Sequence, residues 1–384
     1  MRYQIMMNSR FPIPIRSRLP LAAAAMLSLA IVPFPARAAE KLSAETRAKA
    51  IESAKSGLKY LEKSQDEKGY WSTADMPGLS GLVVQAFLLA PKSAVPEGSK
   101  AAEKGLDFIR SAAKPDGGIY NKGMANYNTS IAMSTLLRAD QEKDTARIEA
   151  AHKFLAGGQN KDDKKPNGKG GFGYEPGSGG RSRPDLDNTV YAVEAMALYR
   201  EKHKGEEPVD QPDLDWQGAI DFVSRCQNLK DTNSAAWASD APEEKGGFTY
   251  SPDGSQDGTH SYGTMTYSGL LSLVHAKVKA DDPRVKAAVE WLGKRYSVEE
   301  NPGLGNQGLY YYYFVMAKTL KVAGIDEVDA AGKKANWREE LAKKLISMQK
   351  SDGSWANENG RWMENDPVLV TAYTVLALGA LCGE

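Results

Sequence analysis

The chain has 384 residues, with 49 Lys and Arg against 49 Asp and Glu, so there is no basic surplus to hold a nucleic-acid backbone. Its 41% hydrophobic residues suffice for a deep core, and its two cysteines exclude both a disulfide scaffold and a cysteine-rich zinc protein. At the start, Arg2, Arg10, Arg16 and Arg18 precede an apolar run over 19–32, followed by Ala36-Arg37-Ala38. A basic region, a short apolar run and an A-x-A site predict a cleaved export signal over 1–38 and a periplasmic or secreted protein. The run is shorter than the ~20 residues needed to span a bilayer. The five charged residues before Ala39 are all Arg, so residues 39–384 carry five fewer bases than the 49 of the whole chain against 49 acids, a net of −5.

After the signal, one pattern recurs six times, over roughly 46–90, 99–139, 145–200, 214–278, 283–323 and 336–382. Each unit reads as an amphipathic helix, a Gly-rich or aromatic turn, and a more apolar helix. The string Gln-x-x-x-Gly-x-Trp occurs as Gln65, Gly69 and Trp71 and again as Gln349, Gly353 and Trp355. Worn copies keep parts of it. Phe108-Ile109, Phe154-Leu155, Phe222-Val223 and Trp291-Leu292 repeat Tyr60-Leu61, while Gln159 and Gln227 fall where Gln65 does. Gly117-Gly118, Gly170-Gly171-Phe172-Gly173-Tyr174 and Gly246-Gly247-Phe248-Thr249-Tyr250 hold the turn. A Gln amide both donates to and accepts from backbone, and Gly takes a φ that costs other residues strain, so the motif reads as a staple between helices. Six stapled pairs make one domain over 39–384.

The string Tyr60-Leu61-x-x-x-Gln65-x-x-x-Gly69-x-Trp71 resembles the QW motif of squalene and oxidosqualene cyclases, whose barrel is shared by the β subunits of protein prenyltransferases. The resemblance extends over essentially all of 39–384. It implies an all-α (α/α)6 toroid, with inner helices around a central cavity, outer helices around those, and a cavity suited to an apolar isoprenoid. Function does not follow from fold, because such barrels also serve as glycan-processing enzymes and binding domains.

Inner helices are expected to begin near Leu79, Asn128, Asp187, Tyr262, Gln307 and Asp366, with their N-termini at the cavity mouth. In the third, Asp185-Leu186-Asp187-Asn188-Thr189 matches the D-x-D-D-Thr signature of class II terpene cyclases at all but Asn188. The resemblance implies that Asp187 is the acid that protonates an alkene or epoxide, with Asp185 and Asn188 beside it. Elementary electrostatics favours another role for Asp187. Free N–H groups and the helix dipole stabilise a carboxylate at a helix start, whereas a proton donor to an alkene must be neutral in a dry pocket. Capping by Asp187 or Asp185 is therefore the favoured reading.

Aromatic residues supply candidate ligand contacts. Tyr191, Tyr262, Tyr267, Tyr310 and Tyr373 fall on expected inner helices, with His260 near the mouth. Ring faces stabilise carbocations, at ~0.5–2 kcal/mol per contact. Consecutive helical residues are about 100° apart, so only one or two of Tyr310-Tyr311-Tyr312-Tyr313 can face the lumen. Prenyltransferase β subunits hold zinc through Asp, Cys and His, but the corresponding segments 306–311 and 366–373 contain neither Cys nor His, so no metal or cofactor is expected. Cys226 and Cys382 are expected as buried thiols, with a bridge between them left open.

Three readings remain open. One is an isoprenoid-binding or cyclising enzyme using Asp187; for the protein in any of these roles, association with a membrane surface is left open, and spanning it is not expected. Another is a non-catalytic exported toroid that binds a protein or a glycan. The last is a carbohydrate-active (α/α)6 enzyme, which needs two carboxyl groups at a set separation, with Asp187, Glu194 and Asp366 as candidates.

Overall fold

Two kinds of helix alternate along the chain, and their residue patterns determine where each goes. The computed structural model describes residues 42–177, 180–203, 213–253 and 258–383, and the export signal expected over 1–38 lies outside them. The first kind comprises α1 (Ala44–Lys63), α3 (Ala101–Ser111), α5 (Thr145–Gly158), α7 (Trp216–Arg225), α9 (Pro283–Lys294) and α11 (Trp337–Ser347). These bury one stripe each; in α3 it is Ala101, Gly105, Leu106, Phe108 and Ile109. The second kind comprises α2 (Pro77–Leu89), α4 (Ala125–Ala139), α6 (Leu186–Lys202), α8 (Gly263–His275), α10 (Leu309–Val322) and α12 (Pro367–Cys382). In α2 every residue from Pro77 to Phe87 is buried, and in α12 every residue from Val368 to Gly379. A helix buried on all sides must be surrounded.

Each even-numbered helix packs on the next even-numbered one, and α12 returns to α2, which closes the inner ring. The amphipathic helices pack outside it: α3 on α2, α5 on α4, α9 on α8 and α1 on α12. The fold is the all-α (α/α)6 toroid that the repeats imply. A small antiparallel hairpin, β1 (Val328–Ala330) with β2 (Lys333–Ala335), decorates the connection from α10 to α11. Every inner helix begins within three residues of its expected position.

In four of the six repeats a Gln at this turn ties the repeat to the next one's outer helix or its start. Gln65 Nε2 donates to Gly69 O and to Ala101 O on α3, both at 2.9 Å, and Trp71 Nε1 donates to Leu61 O at 2.6 Å. Gln159 does the same with Gly170 O and Asp215 O, and Gln227 with Gly246 O and Arg284 O. Gln349 donates to Gly353 O and to Ser53 O on α1, both at 2.9 Å, joining the last repeat to the first. Gln65→Ala removes two half-buried hydrogen bonds and is expected to cost about 1–2 kcal/mol in a denaturant titration; an unchanged midpoint would rule out the staple.

Candidate active site

The first turns of the six inner helices surround a cavity, and each helix start has its own hydrogen-bond acceptor. Gly78 N donates to Asn128 Oδ1 at 2.8 Å, Thr264 N to Asn301 Oδ1 at 3.2 Å and Val368 N to Asp366 Oδ1 at 2.9 Å. At α4, Met124 N and Ala125 N donate to the two oxygens of Glu175. At α10, Tyr311 N donates to Glu364 Oε1 at 2.8 Å. At α6 the cap is Asp185, whose Oδ1 accepts from Asn188 N and whose Oδ2 accepts from Asn188 Nδ2, both at 2.8 Å. Of the two aspartates expected as caps, Asp185 therefore fills the role, and Asp187, inside the helix, does not. Two aspartates two residues apart both fit a helix start, and only the extended backbone of Asp185 selects it. Asn188 serves Asp185, not the lumen. Asp185→Ala is expected to lose about 1 kcal/mol of stability and Asp185→Asn much less, since Asn caps comparably; equal losses in thermal unfolding would contradict this.

The cavity and the open solvent at its mouth together make up about 940 Å³ of space. Seven tyrosines line it: Tyr127, Tyr174, Tyr191, Tyr250, Tyr262, Tyr311 and Tyr373. Leu79, Leu369, Met76, Met124 and Met265 fill the wall between them, with Trp362 and Met363 at the mouth. The rings lean on one another. Tyr127 meets Tyr191 edge-on at 5.4 Å, and Tyr311 meets Tyr373 at 5.3 Å between centroids.

Of the tyrosines expected as contacts, Tyr191, Tyr262 and Tyr373 line the cavity, whereas Tyr267 and Tyr310 do not. Thr264 and Met265 take the lumen side of α8, and Tyr267 packs on Tyr312, 5.7 Å between centroids. Tyr310 meets Tyr313 edge-on at 6.0 Å. His260 stands exposed on a rim loop, its Nδ1 2.8 Å from Glu244 Oε1. Within the tyrosine run only Tyr311 reaches the lumen, while the hydroxyls of Tyr312 and Tyr313 donate to Ser297 O and Val298 O. The sequence reading missed Tyr127, Tyr174, Tyr250 and Trp362. A signal for two of these was present, since Tyr174 and Tyr250 occupy the same offset in successive Gly-Gly-Phe turns.

Asp187 is half-buried and lines this aromatic cavity. The Tyr311 hydroxyl donates to its Oδ1 at 2.5 Å, and no group among the described residues bonds its Oδ2. Burial pushes the Asp187 carboxyl up to about 6, with the Tyr311 hydrogen bond pulling the other way. Burial, and then the nearby Asp187 charge, raises Asp185 to about 7. The other carboxyl group in the lining, Glu364, is occupied by Tyr311 N and by Asn357 Nδ2 at 2.7 Å. Neither remaining glycosidase candidate supplies a partner for Asp187. Asp366 caps α12, and Glu194 lies between Arg138 Nη2 at 2.7 Å and Lys318 Nζ at 2.5 Å. Against the effect of burial, those two cations hold Glu194 down to about 2.

Among the described residues no group of three His, Cys, Asp or Glu side chains is placed to hold a metal ion, and no helix is long and apolar enough to cross a membrane. Cys226 and Cys382 are both buried and unbridged.

No family model matches the sequence, and no curated protein is significantly similar to it. Solved structures do match. A variant of the type II terpene cyclase MstE from Scytonema, in complex with its product merosterolic acid A, aligns with a TM-score of 0.54 at 14% identity, covering 88% of this chain and 98% of that one. Another MstE variant, in complex with its substrate geranylgeranyl dihydroxybenzoate, gives 0.51 at 12% identity over the same shares. A family 76 glycoside hydrolase from a bovine Bacteroides thetaiotaomicron strain gives 0.56 at 12% identity, covering 86% of this chain and 77% of that one. At these identities the likeness is one of fold, and the fold is a toroid similar to those of terpene cyclases and of a glycoside hydrolase.

Proposed function

We propose that the toroid binds an apolar isoprenoid chain in its central cavity and cyclises it, with Asp187 as the proton donor. The observation that carries this reading is Asp187 itself, a carboxyl group relieved of capping by Asp185 and set in a wall of tyrosine and methionine side chains. The hydrogen bond from Tyr311 occupies Oδ1. A proton on the carboxyl group then sits on Oδ2, which no other described residue bonds, and Tyr311 makes it easier to release. Transfer of that proton to an alkene carbon breaks the O–H bond, forms a C–H bond and leaves a tertiary carbocation. The π electrons of the next alkene close the ring, a neighbouring carbon then gives up a proton to solvent at the open mouth to leave an isomer of the starting chain, and Asp187 regains its proton from solvent. The ring faces of Tyr127, Tyr191 and Tyr373 offer the cation ~0.5–2 kcal/mol each. The terpene cyclase likeness supports this reading, and among the described residues no second disengaged carboxylate lines the cavity with Asp187, which weighs against glycoside hydrolysis. On the segment over 1–38 we read the protein as exported, which N-terminal sequencing of the mature chain tests.

The purified protein, incubated with farnesol, geranylgeraniol and squalene, is expected to yield a cyclic product of unchanged mass from at least one. Recovery of all three unaltered would contradict the proposal. Turnover requires the neutral acid, so it is expected to fall about tenfold per pH unit above about 6. A profile rising through that range would assign the proton elsewhere. The same shift has a stability consequence. Asp187 holds its proton more tightly folded than unfolded, so its contribution is full below the ordinary value of 3.8 and is lost as pH rises through about 6.

A further inference from the structure

Two side-chain ties cross the lumen between α6 and α10, which are not neighbours in the ring because α8 stands between them. The upper tie is the hydrogen bond from Tyr311 to Asp187. The lower is the ion pair of Lys318 with Glu194. On both helices the lower residue follows the upper by seven positions, which places it on the same face two turns deeper, about 10 Å along the axis. Arg138 reaches in from α4 to the other oxygen of Glu194 at 2.7 Å, so three inner helices share the lower layer. Glu194 is only 3% exposed. Between the ties, Phe314 stacks on Tyr373 at 5.5 Å, and Lys318 Nζ lies 4.8 Å from the centre of the Phe314 ring.

The cavity ends above this layer. Its lining reaches down to Tyr191 and Tyr373 but includes none of Phe314, Glu194, Lys318 or Arg138. At the other end Trp362 and Met363 are exposed, at 46% and 40%. The pocket is thus open at the N-termini of the inner helices and shut towards their C-termini. An apolar chain pushed deeper would have to part a buried carboxylate from its cations, which strands an unpaired charge and is strongly unfavourable. The layer also repels a carbocation, since two cations face one carboxylate.

We infer that the Glu194–Lys318–Arg138 layer, with Phe314 above it, is the stop for the ligand's chain end, so that the chain enters tail first and its head group stays at the rim beside Trp362. This rests on the isoprenoid reading of the cavity and adds its selectivity. The site is strict about bulk at the chain end and permissive at the head. An apolar chain carrying a polar or bulky head group is the substrate class that suits it.

Calorimetric binding of three probes tests the inference: farnesol, farnesol lengthened at its hydroxyl by a short ethylene glycol chain, and a farnesol analogue with a phenyl ring on its terminal methyl group. Wild type is expected to bind the first two within about threefold of each other and the phenyl analogue at least about tenfold more weakly, the scale of one overpacked group. Phe314→Ala makes room above the layer and is expected to recover about tenfold for the phenyl analogue alone. Phe314→Leu serves the same purpose if the Ala variant does not fold. Exclusion of the head-lengthened probe, tight wild-type binding of the phenyl analogue, or a folded variant without recovery would each overturn the inference. Failure of wild type to bind farnesol at all would instead remove the isoprenoid reading, and the orientation with it.

Discussion

Asp187→Asn is expected to leave the protein folded and its ligand bound while turnover falls by at least about a thousandfold. The helix start does not depend on this side chain, because Asp185 accepts from Asn188 N. Tyr311 donates to Oδ1, and an amide oxygen in the same place accepts that bond equally well. The substitution keeps the size and the neutral charge of the protonated acid, so binding in an aromatic pocket should change little. Only the transferable proton is lost. Thermal unfolding, ligand calorimetry and product analysis on the same preparation separate the contributions. Substantial residual turnover would show that another group supplies the proton. A large fall in melting temperature would show instead that Asp187 holds the mouth together.

Gly353→Val is expected to destabilise the toroid by about 3–5 kcal/mol, lowering the melting temperature by roughly 5–15 °C. Gly353 has φ +90°, a conformation in which a β-branched side chain is strained. A Cβ there would also lie 2.6 Å from Ser56 O on the backbone of α1, which has no room to retreat inside a helix. This turn joins the last repeat to the first through Gln349, so the damage falls where the ring closes. Gly69→Val places its Cβ 2.4 Å from Lys104 O at φ +91° and is expected to do comparable harm at an internal joint. Unchanged melting in both variants would mean that these turns do not hold neighbouring repeats.

The architecture was legible because the motif repeats. Gln65 and Gln349 make corresponding pairs of hydrogen bonds nearly three hundred residues apart, and a shared local pattern of that kind specifies one unit multiplied around a ring. The site was legible only in part. Asp187 stood out by its place in the Asp185–Thr189 string, but its role depended on which of two aspartates turns back to cap α6, and that is decided by backbone geometry. The α10 tyrosines illustrate the limit of periodicity. A step of 100° predicts that few share the lumen but does not select Tyr311 until the neighbours of α10 are known. Trp362 and Met124 lie outside regular helix, in left-handed backbone at φ 56° and 53°, where no helical pattern points to the mouth. The lower ion pair was hidden for another reason. Arg138 and Lys318 read as ordinary charges on helices, and Glu194 as a candidate catalytic carboxyl group, until the ring brings those three helices together.

The most direct test of acid-initiated cyclisation is the origin of the added hydrogen. Wild-type protein incubated in deuterium oxide with an isoprenoid it converts is expected to give a cyclic product whose first protonated carbon carries one solvent deuterium, with none formed by Asp187→Asn. A cyclic product free of solvent deuterium, or one that Asp187→Asn makes equally well, would contradict the account.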